Sequence, residues 1–411
     1  MAQPTKINYQ ELYDSFTWDK PSHYNFATDV IDRWASQDRG KLAIFWIDDE
    51  DNEKTRTFSE ISDHSKRLAN ALSSKNVRRG DVIILMLGRE IEWWEAFTAS
   101  LRMGAVISPG TTQLSAKDIE YRINAASSTC IITNSANAEK IDQIESNCPT
   151  LRTKVLIDGE KKGWLGYQAL IEEASNHFDS PKTLADEESM CYFTSGTTGY
   201  PKMTIHRHDY GIAHQVTGPH WLNLDEEDLH WNISDTGWAK AAWSSYYGPW
   251  TCGAAIFVHH SSGFSPEQTL SIIERYPITT LCGAPTIYRM LVLQDLSKYN
   301  FSSLRHCVGA GEPLNPEIIK EACRISADAH KRAMQCIEPK MYEYQLEAEY
   351  IHEFMKNGSK SCAYPSIVGG GKNACVLHYS DNSDLLNDGD LVLVDAGCEY
   401  KNYASDITRT F

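Results

Sequence analysis

The chain has 411 residues, of which 42% are hydrophobic and 23% are charged, a composition typical of a globular protein with two or more domains. Its formal net charge of −16 argues against a general affinity for nucleic acid or for an anionic membrane surface. The eleven cysteines include no C-x-x-C pair, which favours free thiols in a reducing compartment over structural zinc.

The N-terminal segment MAQPTKINYQELYDSFTWDK has no apolar core and carries early acidic residues. It resembles neither a secretory signal nor an arginine-rich transit peptide. No apolar run approaches the length of a membrane span. We therefore expect a cytoplasmic protein without a membrane span.

Between about residues 40 and 310, short apolar runs alternate with helical segments. The sequence TFSE at 57–60 is a capping box that predicts a helix start. VIILML at 82–87 predicts a strand, and IEWWEAFTASLRMG predicts a helix that ends at Gly104. The runs CIIT, KVLI, AIFV, ITTLC and HCV predict further strands, and Ser265 with Pro266 predicts another helix start. This alternation predicts an α/β fold with a largely parallel sheet covered on both faces.

The strongest motif is YFTSGTTGYPKMT at 192–204, where a strand-like run leads into consecutive Thr, Ser and Gly residues and then a Pro-Lys pair. Glycines let the backbone N–H groups approach an anion closely. Hydroxyl donors and one lysine would complete a cradle for a polyphosphate. The candidate residues are Thr194, Ser195, Gly196, Thr197, Thr198, Gly199 and Lys202. The spacing is not that of a Walker A loop, and a flexible linker is the alternative.

Two histidine pairs, His206 with His208 and His259 with His260, suggest metal ligands at first sight. Alternate positions on a strand do share a face. No companion cluster of Cys, Asp or Glu is visible nearby in the sequence, so we expect structural histidines rather than a metal site.

The phosphate-loop motif resembles the signature loop of the adenylate-forming superfamily, which predicts the fold of that family's N-terminal domain. PGTTQL at 109–114, WNISDTGWAKAAWSS at 231–245, GAPTIYRML at 283–291 and LRHCVGAGEPLNPE at 304–317 narrow the resemblance to medium-chain acyl-CoA synthetases, over about residues 1–318. The resemblance implies Mg-ATP, a carboxylic acid and CoA as substrates. The acid would first form an acyl-adenylate and release pyrophosphate, and the CoA thiol would then displace AMP.

The same resemblance implies individual roles. Residues 194–202 would hold the β- and γ-phosphates of ATP. Gly311, Glu312 and Pro313 would form the adenine-side wall, Trp238 would line the acyl pocket, and Gln113 would lie near CoA. From the residues alone, Trp238 is equally compatible with core packing, and A-G-E-P is only a turn signal.

Other features of that family are not found between residues 319 and 411. These are a Tyr-Gly-x-Thr-Glu segment whose Glu serves the magnesium, a ribose-binding Asp, and a catalytic lysine in a mobile C-terminal domain. Such chemistry depends on positioning and on charge neutralisation. We therefore expect little or no ligase turnover.

The C-terminal segment contains candidate functional residues of another kind, a pair of acids rather than a phosphate loop. DLVLVDAG predicts a strand that ends near Asp395, and Asp406 follows eleven residues later. A hairpin turning between Tyr400 and Lys401 would place the two acids directly opposite each other. Close carboxylates repel unless a cation lies between them. The alternative is a surface hairpin whose acids pair with Lys401 and Arg409.

Residues 320–411 resemble aminopeptidase P, a dinuclear, typically manganese, metallopeptidase with the pita-bread fold. The motifs are MYEYQLEAEYIHEFMKNGSKSCAYPSIVGGGKNACVLHYSDN and GDLVLVDAGCEYKNYASDITRTF. The resemblance implies that Asp395 and Asp406 are metal ligands and that His378 lies at the substrate end of the site. The family's metal-binding His and two Glu residues, and a second catalytic histidine, would lie beyond Phe411. We expect weak metal binding at most and no useful peptidase activity.

The chain therefore reads as two truncated parts, 1–318 and 319–411, joined between Pro316 and Ala322. Helical spacing of apolar residues continues across the junction. An open sheet edge predicts aggregation or disorder of the last 90 or so residues. Three hypotheses follow: an acyl-activating enzyme that tolerates truncation, an Xaa-Pro metalloaminopeptidase, and a non-catalytic nucleotide-binding fusion product. The sequence does not determine the acyl chain or the oligomeric state.

Overall fold

A computed structural model describes residues 9–194, 201–261, 263–311, 316–401 and 403–411. Within these ranges the strands form four sheets. The strands are β1 (Leu42–Asp48), β2 (Glu53–Thr57), β3 (Val82–Met86), β4 (Val106–Pro109), β5 (Cys130–Thr133), β6 (Thr153–Leu156), β7 (Leu165–Gly166), β8 (Glu188–Thr194), β9 (Lys202–Arg207), β10 (Leu229–Asn232), β11 (Ala255–His260), β12 (Thr280–Gly283), β13 (His306–Gly309), β14 (Ser361–Cys362), β15 (Ile367–Gly370), β16 (Val392–Ala396), β17 (Cys398–Tyr400), β18 (Tyr403–Ala404) and β19 (Ile407–Thr410).

The α-helices are α1 (Tyr9–Ser15), α2 (Asp32–Gln37), α3 (Phe58–Ser74), α4 (Glu92–Arg102), α5 (Ala116–Ala125), α6 (Ser135–Ile144), α7 (Tyr167–Glu173), α8 (Tyr210–His220), α9 (Ala239–Ala242), α10 (Gly248–Cys252), α11 (Pro266–Arg275), α12 (Pro285–Leu291), α13 (Pro316–Cys336) and α14 (Glu343–Lys356). Two π-helical turns cover Ala27–Ile31 and Trp243–Tyr247, and 3₁₀ turns cover Glu145–Asn147, Leu296–Lys298 and Gly371–Cys375. None of the helices in the described ranges combines the length and the apolar character that crossing a bilayer requires.

Two large sheets carry the first 310 residues. The seven-stranded sheet has the order β7-β6-β5-β3-β4-β8-β9, and all of its pairs are parallel except β8–β9. The six-stranded sheet has the order β13-β12-β10-β11-β1-β2 and is parallel except at β1–β2. The predicted α/β architecture of mainly parallel sheets and covering helices is confirmed.

Local signals in the sequence set several helix ends as predicted. The Thr57 side chain accepts a hydrogen bond from the Glu60 backbone N–H, and the Glu60 carboxylate accepts one from the Thr57 backbone N–H, so α3 begins with a capping box. Gly104 closes the α4 segment with a φ of +69°, a backbone conformation that favours glycine. Ser265 caps α11 through the Gln268 N–H.

A shared aromatic core joins the two large sheets. Trp93, Trp94, Phe97, Tyr246 and Trp250 are buried in one cluster with residues of β1, β3 and β11. The indole N–H of Trp94 donates to the Ser245 carbonyl at 2.8 Å, so the one hydrogen-bond donor of this buried ring is satisfied inside the core. The cluster fixes the relative positions of the loops that follow the strands of both sheets.

The last 90 residues form their own core around α13 and α14. Five apolar positions at helical spacing are predicted along α13: Ile318, Ala322, Ile325, Ala329 and Ala333. The last four are fully buried in one core with residues of β16, β17 and α14, and the Ile318 side chain lies outside the described residues. The antiparallel sheets β14-β17-β18 and β15-β16-β19 complete this region. In the described part of this segment α13 supplies the apolar face on which the strands pack, and the expectation of aggregation or disorder stays a prediction.

Candidate functional site

The base of the predicted phosphate loop is a pair of antiparallel strands. Thr194, the last residue of β8, pairs with Lys202, the first residue of β9. The Thr194 hydroxyl donates to the Lys202 carbonyl at 3.4 Å, and both side chains are exposed. The pairing brings the two ends of the predicted loop side by side. The other predicted loop residues, Ser195, Gly196, Thr197, Thr198 and Gly199, lie outside the described residues.

Helix α5 supports this base from one side. The Tyr121 hydroxyl donates to the Pro201 carbonyl at 2.9 Å. The Tyr121 ring also meets Phe193 edge to face, with 6.2 Å between ring centroids. These contacts hold the strand ends on both sides of the loop against α5. The sequence analysis did not identify Tyr121, because its partners lie about 70 to 80 positions further along the chain.

The segment that follows β10 reaches across to the other sheet. The Thr236 hydroxyl donates to the Leu87 carbonyl at 2.7 Å. Gly237 packs so closely against the turn after β4 that an added Cβ atom would lie 2.2 Å from the Thr111 backbone nitrogen. Trp238, which comes next, keeps 51% of its surface exposed. Trp238 is therefore a surface-exposed ring rather than a core residue.

The predicted adenine-side segment is described only in part. Gly311 has a φ of +99°, and among the described residues no atom lies within 4 Å of the position that an added Cβ would take. Glu312 and Pro313 lie outside the described residues. The Lys240 ammonium donates to the Ala310 carbonyl at 3.0 Å, which ties this segment to the helix that follows Trp238.

A cavity of about 690 Å³ opens where the strands of both large sheets end. Crevices at the carboxyl ends of parallel strands are where open α/β sheets bind ligands. Gln113, predicted to lie near CoA, lines this cavity together with Gly88, Arg89, Asp235 and His259. Trp238 and the strand ends of the phosphate loop do not line it.

The cavity wall combines charged and half-buried groups. Burial lowers the pKa of the Arg89 guanidinium, while Asp235 acts in the opposite direction. His259 Nε2 lies 3.1 Å from an Asp49 carboxylate oxygen, yet burial still holds the pKa of His259 below its usual value. His259 therefore has a hydrogen-bond partner in the wall. In the described ranges no three His, Cys, Asp or Glu side chains come together as a metal site would require.

The other histidine pair belongs to β9 and the residue that follows it. Burial lowers the pKa of His208 to about 4, so this ring is neutral at physiological pH. The His206 ring packs 4.7 Å from the Tyr210 ring. Both rings are thus packing elements at the end of the seven-stranded sheet.

Asp395 and Asp406 do come together, although not in the predicted register. Glu399 pairs with Ala404 and Tyr400 with Tyr403, so Asp395 lies opposite Thr408. The prediction that Asp395 lies directly opposite Asp406 is wrong by two residues. The turn comes one position later than predicted, because Lys401 takes the left-handed conformation, with a φ of +51°.

A tyrosine hydroxyl lies between the two carboxylates. Tyr364 Oη is 2.7 Å from Asp395 Oδ1 and 3.0 Å from Asp406 Oδ1. Burial and the two acids raise the pKa of this phenol well above its usual value, so the phenol remains a proton donor. In the described ranges the donor set is two carboxylates and one neutral phenol, which does not fit the two-manganese centre that the resemblance implied.

His378 makes its ring contact with the N-terminal region. Its ring meets the Trp238 ring at 6.4 Å between centroids, and its neighbour Leu377 packs against the cluster that contains Met86 and Leu114. Burial and the nearby Arg122 charge lower the pKa of His378, while the Asp395 charge acts on the same imidazole in the raising direction. The structure thus joins two residues that the sequence analysis assigned to separate sites.

Comparison with protein-family models gives two matches. The model described as AMP-binding enzyme matches residues 31–333. The model of metallopeptidase family M24 matches residues 317–411. The two matches overlap within α13, over residues 317–333.

Curated relatives agree with the first match. The human protein "Acyl-coenzyme A synthetase ACSM3, mitochondrial" is 43% identical over 322 residues, which cover 76% of this chain and 55% of the relative. The rat protein "Acyl-coenzyme A synthetase ACSM4, mitochondrial" is 42% identical over 309 residues, 73% of this chain and 53% of the relative. The chain thus spans about half the length of the curated relatives it matches.

Solved structures show the same similarity. An acyl-CoA synthetase from Brucella canis superposes with a TM-score of 0.69 at 28% identity, covering 76% of this chain and 59% of that chain. The anthranilate CoA ligase AuaEII, solved in complex with anthranoyl-AMP, superposes with a TM-score of 0.66 at 21% identity over 93% of this chain and 71% of that chain. The latter match concerns the fold alone.

Proposed function

Because the chain belongs to the AMP-binding enzyme family, we propose that its N-terminal region binds Mg-ATP and activates a medium-chain carboxylic acid for transfer to CoA. In the first step a carboxylate oxygen attacks the α-phosphorus, and the bond to pyrophosphate breaks. In the second step the CoA thiol attacks the acyl carbonyl, loses its proton, and releases AMP. The observation that carries this proposal is the Thr194–Lys202 base of the phosphate-loop motif, formed by the antiparallel pair β8–β9 at the edge of the seven-stranded sheet.

The described residues suggest a division of roles. The exposed Lys202 ammonium would neutralise charge on the β- and γ-phosphates. Trp238 would offer an apolar face to the acyl chain. The cavity lined by Gln113 has a volume suited to part of a small ligand, and we assign it to the CoA side. Gly311 would pass close to the adenine.

Nucleotide binding and ligation are separable parts of this proposal. The expectation of low turnover stays a prediction, and a nucleotide-binding protein without ligase activity is the second candidate. It is favoured by the phosphate-loop base, which needs no further group to bind an anion. A cytoplasmic location also stays a prediction.

Titration calorimetry with ATP, followed by ATP–pyrophosphate exchange with octanoate, tests the proposal on the full chain. We expect ATP to bind and Lys202→Ala to weaken binding about tenfold, the effect of losing one charge-assisted contact. Lys298→Ala is the matched control, because Lys298 is an exposed lysine that pairs with Asp295, three residues before it. Exchange would establish the adenylation step, and formation of octanoyl-CoA on addition of CoA would establish the ligase. ATP binding without exchange would establish the second candidate, and absence of ATP binding would refute both.

We propose further that the chain joins two parts of different origin, residues 1–318 and 319–411. The two family matches that meet in α13 support this division, as does the separate core formed by residues beyond 322. Continuous transcript reads across codons 310–330 would support a genuine fusion, and their absence would argue for a misjoined reading frame.

Xaa-Pro aminopeptidase activity of the C-terminal part is the weakest candidate. The M24 match supports a common origin with metallopeptidases, but the Asp395–Tyr364–Asp406 arrangement favours a structural role. We expect no hydrolysis of an Xaa-Pro peptide with added manganese. Measurable manganese-dependent hydrolysis would instead make aminopeptidase activity the leading candidate for the C-terminal part.

A further inference from the structure

Two cysteines face each other across the short antiparallel pair of strands β14 and β17. Cys362 is the register partner of Cys398, and both are free thiols. The Ala363 N–H donates to the Gly397 carbonyl at 2.8 Å, one position further along the pair. The Cys398 N–H and carbonyl instead bond to the hydroxyl and N–H of Ser405, on the other side of β17. The two cysteines therefore occupy a non-hydrogen-bonded position of the strand pair.

A non-hydrogen-bonded position suits a disulfide. Cα atoms of residues opposed in this way lie about 4.5 Å apart, inside the range of roughly 4.4–6.8 Å that disulfides bridge. Opposed residues also point to the same face of the sheet. Here that face is the core around α13 and α14, in which Cys398 is fully buried and against which Cys362 packs. The backbone thus already has the separation that a disulfide between Cys362 and Cys398 needs.

The two thiols differ in their access to solvent. Cys362 is half-buried, and its sulfur has a weak contact with the Ser366 hydroxyl at 3.9 Å. The Cys398 sulfur has no exposed surface and lies 3.5 Å from the Ala322 carbonyl oxygen. Burial raises the pKa of Cys362, and the neighbouring Cys398 acts in the same direction. Because a thiol with a raised pKa reacts slowly near neutral pH, the strand register selects the partner, and Cys362 is the point of entry.

We propose that Cys362 and Cys398 form a cross-strand disulfide when the chain meets a small-molecule disulfide, such as glutathione disulfide. The deprotonated Cys362 sulfur attacks one sulfur of the oxidant, whose S–S bond breaks and releases one glutathione thiolate. The Cys398 sulfur then loses its proton and attacks the Cys362 sulfur, which releases the second glutathione. Two cysteine thiols are oxidised, and one glutathione disulfide is reduced to two glutathione thiols. In a reducing compartment the reverse exchange keeps both cysteines free.

The disulfide would lie beside the paired acids of the C-terminal region. Tyr364, whose hydroxyl contacts both Asp395 and Asp406, comes two residues after Cys362. Closing the loop 362–398 restricts the unfolded chain and so stabilises the folded one. The oxidised C-terminal region should therefore be more stable than the reduced one. This inference does not depend on nucleotide binding or ligation by the N-terminal region.

The test uses the full chain carrying Cys375→Ser. Trypsin cleaves after lysine and separates the fragments 361–372 and 373–401. The first fragment contains Cys362, and the second contains Cys398 together with the exposed Cys375, so the substitution leaves one cysteine in each. After treatment with glutathione disulfide at about pH 8.5, close to the usual thiol pKa, digestion without reductant should yield the two fragments joined, with a mass lower by two hydrogens. Dithiothreitol should separate them.

Stability gives a second measurement. Oxidation should raise the thermal unfolding midpoint of the C-terminal region by about 10 °C, and dithiothreitol should reverse the shift. Cys362→Ser removes the half-buried partner and should abolish it. Cys336→Ser is the matched control, because Cys336 is another half-buried cysteine of the same region, at the end of α13, and its loss should leave the shift unchanged.

Three results would overturn the inference. The fragments stay separate after oxidation and carry glutathione instead, Cys362 is joined to a different cysteine, or the joined fragments come from two chains, which a non-reducing gel would show as a dimer. If Cys362→Ser fails to fold, the joined fragments of the Cys375→Ser chain still decide the question, since that chain keeps both partners.

Discussion

The Tyr364 hydroxyl lies 2.7 Å from one carboxylate oxygen of Asp395, and this hydrogen bond stabilises the pair of acids in the C-terminal region. The same hydroxyl is 3.0 Å from Asp406. A phenol that donates toward two carboxylates reduces their repulsion without a cation. The contact therefore ties the acid pair to Tyr364 in the folded structure, and metal binding by Asp395 and Asp406 stays a prediction.

Replacing Tyr364 by Phe should lower the free energy of unfolding of the C-terminal region by about 1–2 kcal/mol at pH 7, because two acids lose their shared donor. Urea denaturation followed by circular dichroism measures this change. Tyr344→Phe, at an exposed tyrosine of α14, should change it by less than about 0.5 kcal/mol. Manganese should not raise the stability of the unmodified chain, and a clear rise with manganese would restore the metal-site hypothesis.

A buried glutamate holds the segment that carries His378. Glu343 is fully buried and accepts hydrogen bonds from the Gly370 N–H at 2.8 Å, the Tyr379 hydroxyl at 2.7 Å and the Asp384 N–H at 2.9 Å. Three such donors satisfy a carboxylate that would otherwise be costly to bury.

Glu343→Gln should therefore destabilise the C-terminal region by about 2–4 kcal/mol, because the new amide N–H₂ group would face donors. Urea denaturation measures the loss. Glu349→Gln is the matched control on the same helix, since Glu349 pairs with Arg332 near the surface and should contribute less than about 1 kcal/mol. Equal effects of the two substitutions would argue against the network.

An ion pair in the N-terminal region predicts a pH dependence of stability. His64 Nδ1 lies 2.8 Å from a carboxylate oxygen of the buried Glu95, and this hydrogen bond raises the pKa of His64. A raised folded-state pKa contributes stability that is fully present below the unfolded value of about 6.5 and is lost as the pH rises through the folded value.

The substitution His64→Gln should therefore cost about 1 kcal/mol at pH 5.5, and its cost should shrink progressively above pH 6.5. Thermal or urea unfolding at pH 5.5, 7 and 9 measures this trend. His177→Gln is the control, because His177 is exposed and pairs with an exposed aspartate. A cost for His64→Gln that grows with pH would contradict the assignment.

The sequence predicted what depends on local pattern and missed what depends on distant contacts. The capping box at Thr57, the left-handed Gly104 and the buried face of α13 follow from residues a few positions apart, and all were confirmed. Tyr121 and Tyr364 were missed because their partners lie 80 and 42 positions away, where only the folded chain brings them together.

The register of the last hairpin shows a different limit. The prediction placed the turn between Tyr400 and Lys401, whereas Lys401 adopts a left-handed conformation inside the turn, and the described pairs are shifted by two residues. Lysine gives no signal for that conformation, unlike glycine or asparagine. The two acids are nevertheless close to each other, and the Tyr364 hydroxyl lies within hydrogen-bond distance of both.

The separation of buried cores predicts two unfolding transitions. Leu346 is fully buried in the core formed by residues beyond 322, whereas Leu85 is fully buried in the core shared by the two large sheets. Each Leu→Ala substitution should cost about 3 kcal/mol of the free energy of unfolding, from lost burial and the cavity that remains. Leu346→Ala should lower the midpoint of one calorimetric transition, and Leu85→Ala should lower the midpoint of the other.

The two substitutions serve as controls for each other, since both remove the same side chain. If either one lowers both midpoints equally, the chain unfolds as one cooperative unit, and the continuous helix α13 couples the two regions more tightly than their separate cores suggest.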